Sequence, residues 1–504
     1  MKKITILLSL FIFLLTSCEK FLDVNKDPNN PAAVEDYLLL PAAQVSIASV
    51  FSADYGLIGS FWAQHWAQNN TSSQYKTFET YTIASNDGTI NLSYRELYYG
   101  GLADNEIIHL QAKAEENWGL YLMTSTIKAY TFQYLVDLYD NVPYTEAFKG
   151  ETEGLFNPTI DKGADIYKSI YDLLNEALAK DMSTFKVSRY SKYDLLCGGS
   201  LDKWTRFANT LKLRILLRQY KKNTTFAQTE ITKLLAKNQF LTSDVQFTNF
   251  QDADSKSNPM YESDQRQLNT TNNIRACATF MSYLTANADT RKEKMFQKVG
   301  TLNSGYTALV PGSYEVPTTT FDATAVTSRP IQTPTMPINL MTLAEAELLQ
   351  AEAYLRSGNV VAAKQHYEAG VTSSFTRIGA AIGSLLTGAY AFPATGVDAQ
   401  LEAIIMQKWV DAADGQRGIE AFIEQVRTGY PKKSTISDQI VPGYTLPDSY
   451  VPGTLIYSKK GATGGKFPVR FPYPQCELNY NSKASAYKAL KDADVLQTNV
   501  WWNN

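Results

Sequence analysis

The chain has 504 residues, with 47 basic against 50 acidic side chains, a net charge of −3 and 44% hydrophobic residues. Charges of both signs are interspersed, so there is no electrostatic footprint for nucleic acid. Three histidines and the widely spaced Cys197, Cys277 and Cys476 offer no multi-His metal site, no zinc spacing and at most one disulfide. Tyrosine, at 31 copies, is the unusual component, and it suits both helix packing and wet, amphipathic binding faces.

In chain order, Lys2 and Lys3 precede a run from Ile4 to Leu15 that is apolar apart from Thr5 and Ser9. That run suits a signal peptide and is too short to span a bilayer core of about 30 Å. It ends in Leu15-Thr16-Ser17-Cys18, the pattern a bacterial lipoprotein presents for cleavage before its cysteine. Residues 1–17 are therefore expected to be a signal peptide, Cys18 the lipidated residue, and 18–33 a tether with turn chemistry at Asp27-Pro28-Asn29. A multiply acylated cysteine anchors stably, whereas one chain at about 0.8 kcal/mol per methylene does so only marginally. No later stretch reads as apolar enough to cross a membrane, so the expected membrane contact is through the N-terminal lipid only.

Residues 34–504 read as one helical domain. A helix is expected from about Val34 or Glu35 to Ser52, and Phe61 to Tyr81 reads as a helix end plus loop. Leu120, Met123, Ile127, Tyr130, Tyr134 and Leu138 recur at helical spacing. Further helices are expected over Asp165–Leu178, from an N-cap at Asp202 through Trp204, Phe207, Leu211 and Ile215, and over Ala227–Ala236. Residues 240–337 form a loop-rich insertion with one expected helix, about Ile274–Thr285. Helices resume at Leu340 and continue to Val426, where Gly429 and Pro431 stop them. The stretch 431–504 is again irregular. Ala351, Tyr354, Gly358, Ala363, Tyr367 and Gly370 stand at the spacing of a tetratricopeptide helix pair, which needs neighbouring pairs to bury its face. Trp204 and Trp409 lie within amphipathic patterns and read as core, and His65 as a structural hydrogen-bonder.

Enzyme signatures are weak. No Gly-x-Ser-x-Gly elbow or His-Glu-x-x-His helix occurs. Asp252 with Asp254, or Glu345 with Glu347, read as solvated carboxylates rather than a glycosidase pair. Gly461–Lys466 is only superficially similar to a phosphate loop and reads as a flexible turn. Asp252, Asp254, Asn258 and Asp264 lack EF-hand spacing, and calcium stays open. No cofactor is expected. A binder of soluble oligomers needs flat apolar faces with amides and hydroxyls beside them. The densest such mixture centres on Trp62, Trp66, Asn69, Asn70 and Tyr75, with Trp62 and Trp66 sharing a face if the segment is helical. Tryptophans at that spacing are equally a core pattern, and both readings stay open. Tyr261, Tyr306 and Tyr314 are secondary candidates.

Several segments in order resemble the SusD/RagB family of nutrient-binding lipoproteins. They are Phe21-Leu22-Asp23 with Asn25–Asn29, Asp137–Ala147, Trp204–Arg214, Gly418–Phe422 leading to Arg427–Pro431, and Phe471–Gln475 with Glu477 and Asn481. The family often carries Gly where Asp140 stands, and its ligand-contacting residues have no visible match here. The resemblance implies an all-α, SusD-like fold of tetratricopeptide-like helix pairs with a loop-rich ligand-binding side. It also implies no catalysis, an oligosaccharide or peptide ligand, and a TonB-dependent, SusC-like outer-membrane barrel as partner, with the protein at the cell surface. The rival classes are a surface-anchored polysaccharide-degrading enzyme and a tetratricopeptide scaffold that binds only proteins.

Overall fold

A computed structural model describes residues 35–270, 272–299, 305–413, 416–438, 443 and 445–504. The expected signal peptide, the lipidated Cys18 and the 18–33 tether lie outside the described residues.

The body opens with α1 (Asp36–Ser52) and α2 (Asp54–Trp62), which break at Ala53. Taken together they are long and apolar enough to cross a membrane, which corrects the expectation that no such stretch follows the signal. Half of the most apolar window is already buried inside the protein, as in a core helix. Next come α3 (Gly88–Arg95), capped by Asp87, whose carboxylate accepts from the N–H groups of Thr89 and Ile90, and α4 (Ala103–Ala114). A π-helical segment, Glu96–Leu102, joins them. The long α5 (Trp118–Tyr139) is buried on every side, Trp118 and Lys128 excepted, so it is the axis of the core rather than a one-faced helix.

Around α5 pack α6 (Gly163–Leu178) and α7 (Leu201–Arg218), with α8 (Thr224–Lys237) beyond. The N-cap of α7 is Ser200, not Asp202: its hydroxyl accepts from the Lys203 N–H, while Asp202 bonds Arg206 from the first turn. Trp204 and Trp409 are buried as expected, and the Trp204 indole N–H donates to Asp194 at 2.7 Å. His65 takes its structural place against the Trp409 carbonyl at 3.0 Å.

The 240–337 stretch contains α9 (Ala278–Ala286), but Ile274–Ala276, expected to open that helix, is a strand. Among the described residues, four two-stranded ladders tie the loops to the body. β1 (Trp66–Gln68) pairs antiparallel with β5 (Ile274–Ala276), and β2 (Val142–Pro143) with β3 (Ile160–Asp161). β4 (Val245–Phe247) pairs antiparallel with β6 (Ile338–Met341), and β7 (Lys433–Ser437) pairs parallel with β8 (Leu455–Tyr457).

The tetratricopeptide-like pair is α10 (Leu343–Arg356) and α11 (Val360–Ile378). Gly370 lets them close, since a Cβ there would stand 2.7 Å from the Leu348 side chain. The buried Tyr367 fills the gap and donates its hydroxyl to the Tyr390 carbonyl. Beside them lie α12 (Val397–Ala413) and α13 (Gly418–Thr428). Where α13 crosses α2, a Cβ on Gly418 would stand 2.3 Å from the Ser60 nitrogen, so glycine is what allows the crossing.

A buried ionic cluster joins α5, α7, α10, α12 and α13. Arg218 meets Asp137 at 3.1 Å and Glu420 at 2.8 Å, and also binds Glu424. Lys408 reaches Glu424 at 2.8 Å, and Arg427 reaches Glu352 at 2.6 Å. Glu345, read from sequence as solvated, is buried between Arg214 and Arg417. Glu347, its supposed partner, is partly exposed and pairs with His366 at 2.6 Å.

Candidate ligand-binding cleft

The aromatic segment singled out from the sequence is not a surface platform. Helix α2 stops at Trp62 and Trp66 begins β1, so the two indoles share no helical face. Trp62 is 2% exposed and Trp66 4%. The Trp62 ring meets Phe422 at 4.7 Å and Phe471 at 5.1 Å, both edge-on, and its N–H donates to the Phe78 carbonyl. A stacking face needs access to solvent, and neither ring has it. The amides beside them serve as loop struts. Asn69 is buried and donates to Thr324, while Asn70 donates to the Phe321 carbonyl and accepts from the Ala323 N–H. Tyr75 is buried, with its hydroxyl donating to Asp264 at 2.8 Å. Burial, then the Asp264 charge, push that phenol far above its ordinary range.

The secondary candidates are half-buried and separately engaged. Tyr261 lies under the Arg266 guanidinium, Tyr306 under Lys292 and Lys298, and Tyr314 donates to Glu315. The carboxylates considered for calcium also have other roles: Asp252 pairs with Arg266, and Asp264 binds Tyr75 and Asn273. Among the described residues no group of three His, Cys, Asp or Glu side chains is placed to hold a metal. Cys197, Cys277 and Cys476 are free thiols.

Sequence reasoning missed Glu79, which pins two of these loops. Its carboxylate accepts backbone N–H bonds from Gln68 and Gly312, yet burial outweighs both and raises it to about 7. A carboxyl raised above its unfolded value stabilises the fold fully below that value, near 4.5, and the contribution is lost as pH rises through about 7. The loss amounts to about 2–4 kcal/mol. Denaturation of the wild type and Glu79→Gln at several pH values should show the wild type losing ground to the variant between pH 4.5 and 8. Parallel pH profiles would refute this assignment.

An open cavity lies elsewhere. It holds about 460 Å³ and is built from three distant stretches of chain. Tyr94 and Arg95 come from the end of α3, and Tyr98 and Tyr99 from the π-helical segment. Glu146 and Phe148 follow β2, while Glu477 and Tyr480 come from α14 (Gln475–Tyr480). The π-helical turn sets Gly101 against α1, where a Cβ would stand 2.5 Å from Ile47. Such widened turns recur at functional sites because they re-aim side chains. Here Tyr99 is left 79% exposed, and across the cavity Tyr480 is 82% exposed.

Polar groups are fixed between the rings. The Tyr98 hydroxyl donates to the Pro143 carbonyl at 2.7 Å, with its ring 4.8 Å from Tyr94 and 5.9 Å from Phe148. Glu477 accepts from Asn481 at 2.7 Å and from Tyr94 at 3.3 Å, and burial pushes its carboxyl up. Glu146 accepts from Lys483 and twice from Thr159, all on Oε2, which lowers it to about 2. Exposed aromatic faces with oriented hydrogen-bonding groups between them are what a sugar-binding surface requires. Two segments already noted for their family resemblance, 137–147 and 471–481, meet at this cleft. Only the fold brings them together, and the sequence alone does not single out either as a site.

The fold is that of a helical, tetratricopeptide-like protein. Residues 28–446 match the SusD-like family described as starch-binding and associating with the outer membrane, and the chain belongs to that family. Its members are binding proteins rather than enzymes. No curated protein matches the chain. Among solved structures, the chain is similar to a SusD homologue from Bacteroides uniformis, with 20% identity, coverage of 92% of this chain and 99% of that one, and a TM-score of 0.70. A SusD homologue from Bacteroides vulgatus has 21% identity, 93% and 97% coverage, and a TM-score of 0.71. A chitin-binding protein has 21% identity, 93% and 100% coverage, and a TM-score of 0.72. At these identities the likeness establishes the fold.

Proposed function

We propose that this protein is a surface lipoprotein, anchored through Cys18, that captures an oligomeric glycan in the Tyr94–Tyr480 cleft. It then passes the glycan to a TonB-dependent, SusC-like outer-membrane barrel. The observation that carries the reading is the cleft itself, where five aromatic rings surround fixed carboxylates and a guanidinium at an open surface. The outer-membrane association of the family and the chitin-binding relative support it.

Tyr480→Ala is the direct test. Truncating a binding hot spot costs about 2 kcal/mol or more, an affinity loss of over tenfold. Because the ring is 82% exposed, the melting temperature should not move. Unchanged titration of a bound glycan would remove the cleft from the function. Release of reducing ends from that glycan would instead overturn the binder reading. In native membranes the protein should co-purify with a large barrel in mild detergent, and Cys18→Ala should leave the outer face. Recovery only as a free lipoprotein would count against delivery.

A further inference from the structure

The cleft continues past Phe148. On its other side a trough of about 440 Å³ runs between α4 and the segment after β2, sharing Ala103, Ala147 and Phe148 with the cleft. Ile107 and Leu110, 52% and 56% exposed, form its apolar wall, with Tyr144, Thr145 and Thr152 among the residues that complete it. Each chamber alone is the size of a small-ligand pocket, about 300–1,000 Å³.

Phe148 stands where the two meet, at φ +66°. A bulky residue in that left-handed region is strained, and strain persists where surrounding structure holds a residue for a purpose. Its ring lies nearly parallel to Tyr98, at 29°. Apart from Arg95, Glu151 and Glu477, the charges along the groove are paired in place. Lys128 meets Glu106 at 2.6 Å, Lys149 meets Glu153 at 3.4 Å, and Lys483 meets Glu146 at 2.8 Å. An ionised ligand would have to compete with these internal pairs. A neutral, hydroxyl-bearing chain needs only hydrogen bonds and ring faces.

We propose that cleft and trough are one groove that holds an extended neutral oligosaccharide across both chambers, with the Phe148 ring as the partition it passes over. This rests on the cleft being the glycan seat. It adds a second chamber, a requirement for chain length and a preference against charge.

The full chain is screened on an array of starch, chitin, xylan, mannan and pectin fragments, from single sugars to about eight units. The tightest-binding series is then titrated by length. Affinity should rise at least about tenfold, or about 1.4 kcal/mol, between fragments that fill one chamber and those that fill both. Phe148→Gly should fold, because glycine adopts that backbone freely, and should lose most of the gain with length. Leu110→Ser, on an exposed face of α4, should flatten the length dependence and keeps the test valid if the Phe148 variant fails to fold. Equal affinity for short and long chains, no effect of Leu110→Ser, or a preference for charged pectin fragments would overturn the proposal. Short fragments that bind through Tyr480 without any gain from length would sink only this inference. No signal from any glycan on the array would sink the seat itself.

Discussion

Replacing Arg218 with methionine should destabilise the protein by about 3–5 kcal/mol, the cost of leaving buried charges without a partner. The guanidinium is fully buried and meets Asp137, Glu420 and Glu424, carboxylates brought by two other helices. Burial alone would raise Glu424. The charges of Arg427, Lys408 and Arg218 overcome this and hold it well below the usual carboxylate range. Removing one of those cations leaves the carboxylates desolvated and closer to mutual repulsion. Arg214 on α7 and Lys408 on α12 still face Glu420 and Glu424, so the cluster will not collapse outright, and in a chain of this size the loss should appear as a fall in melting temperature of about 3–5 °C. Asp137 adds a pH signature. Burial already raises it to about 6 against the pull of Arg218, so the variant can relieve part of its cost by protonating Asp137. The defect should therefore shrink in mildly acidic buffer. Thermal melts at two pH values measure both effects, with methionine at the exposed Lys168 as a control that leaves the melt in place. A melt for Arg218→Met within about 2 °C of wild type would mean the cluster is not a structural joint.

How legible the fold was depended on the range of the interaction. Helices follow from local periodicity, so α5, α6 and α7 fall within a few residues of their expected spans. The tetratricopeptide pair was readable because small residues at fixed spacing, such as Gly370, mark a close helix approach. Asp140 shows a local rule surviving a substitution. It takes φ +67° where the family often has glycine, and its carboxylate accepts from the Trp501 N–H. Long-range facts were hidden. Glu345 looks solvated in a helical pattern, and only the tertiary arrangement of Arg214 and Arg417 around it makes burial tolerable. The cleft was hidden for the same reason, since Tyr99, Phe148 and Tyr480 are far apart in the chain and no single stretch is dense in binding residues. The 61–75 stretch is dense, and its density comes from packing.

That last point predicts a reversal of effects between two sets of aromatic residues. Trp62→Ala should destabilise by about 3–5 kcal/mol, the cost of a core indole plus the cavity it leaves. The ring fills space between Phe422 on α13 and Phe471 near the C-terminus, so its loss loosens a joint between distant parts of the chain. It also strips the Phe78 carbonyl of a buried donor, which adds to the cost. Trp66, 4% exposed at the head of β1, should behave similarly, because its backbone pairs with Ala276 and its side chain has no solvent to fall back on. For both variants the folded fraction, measured well below its lowered melting temperature, should bind glycan with wild-type affinity. Tyr480→Ala should do the opposite, with an intact melt and weakened binding. Calorimetric titration and thermal melts of the three variants side by side decide between the two assignments. Weakened binding with an unchanged melt in Trp62→Ala would return the seat to the 61–75 stretch and take it from the cleft.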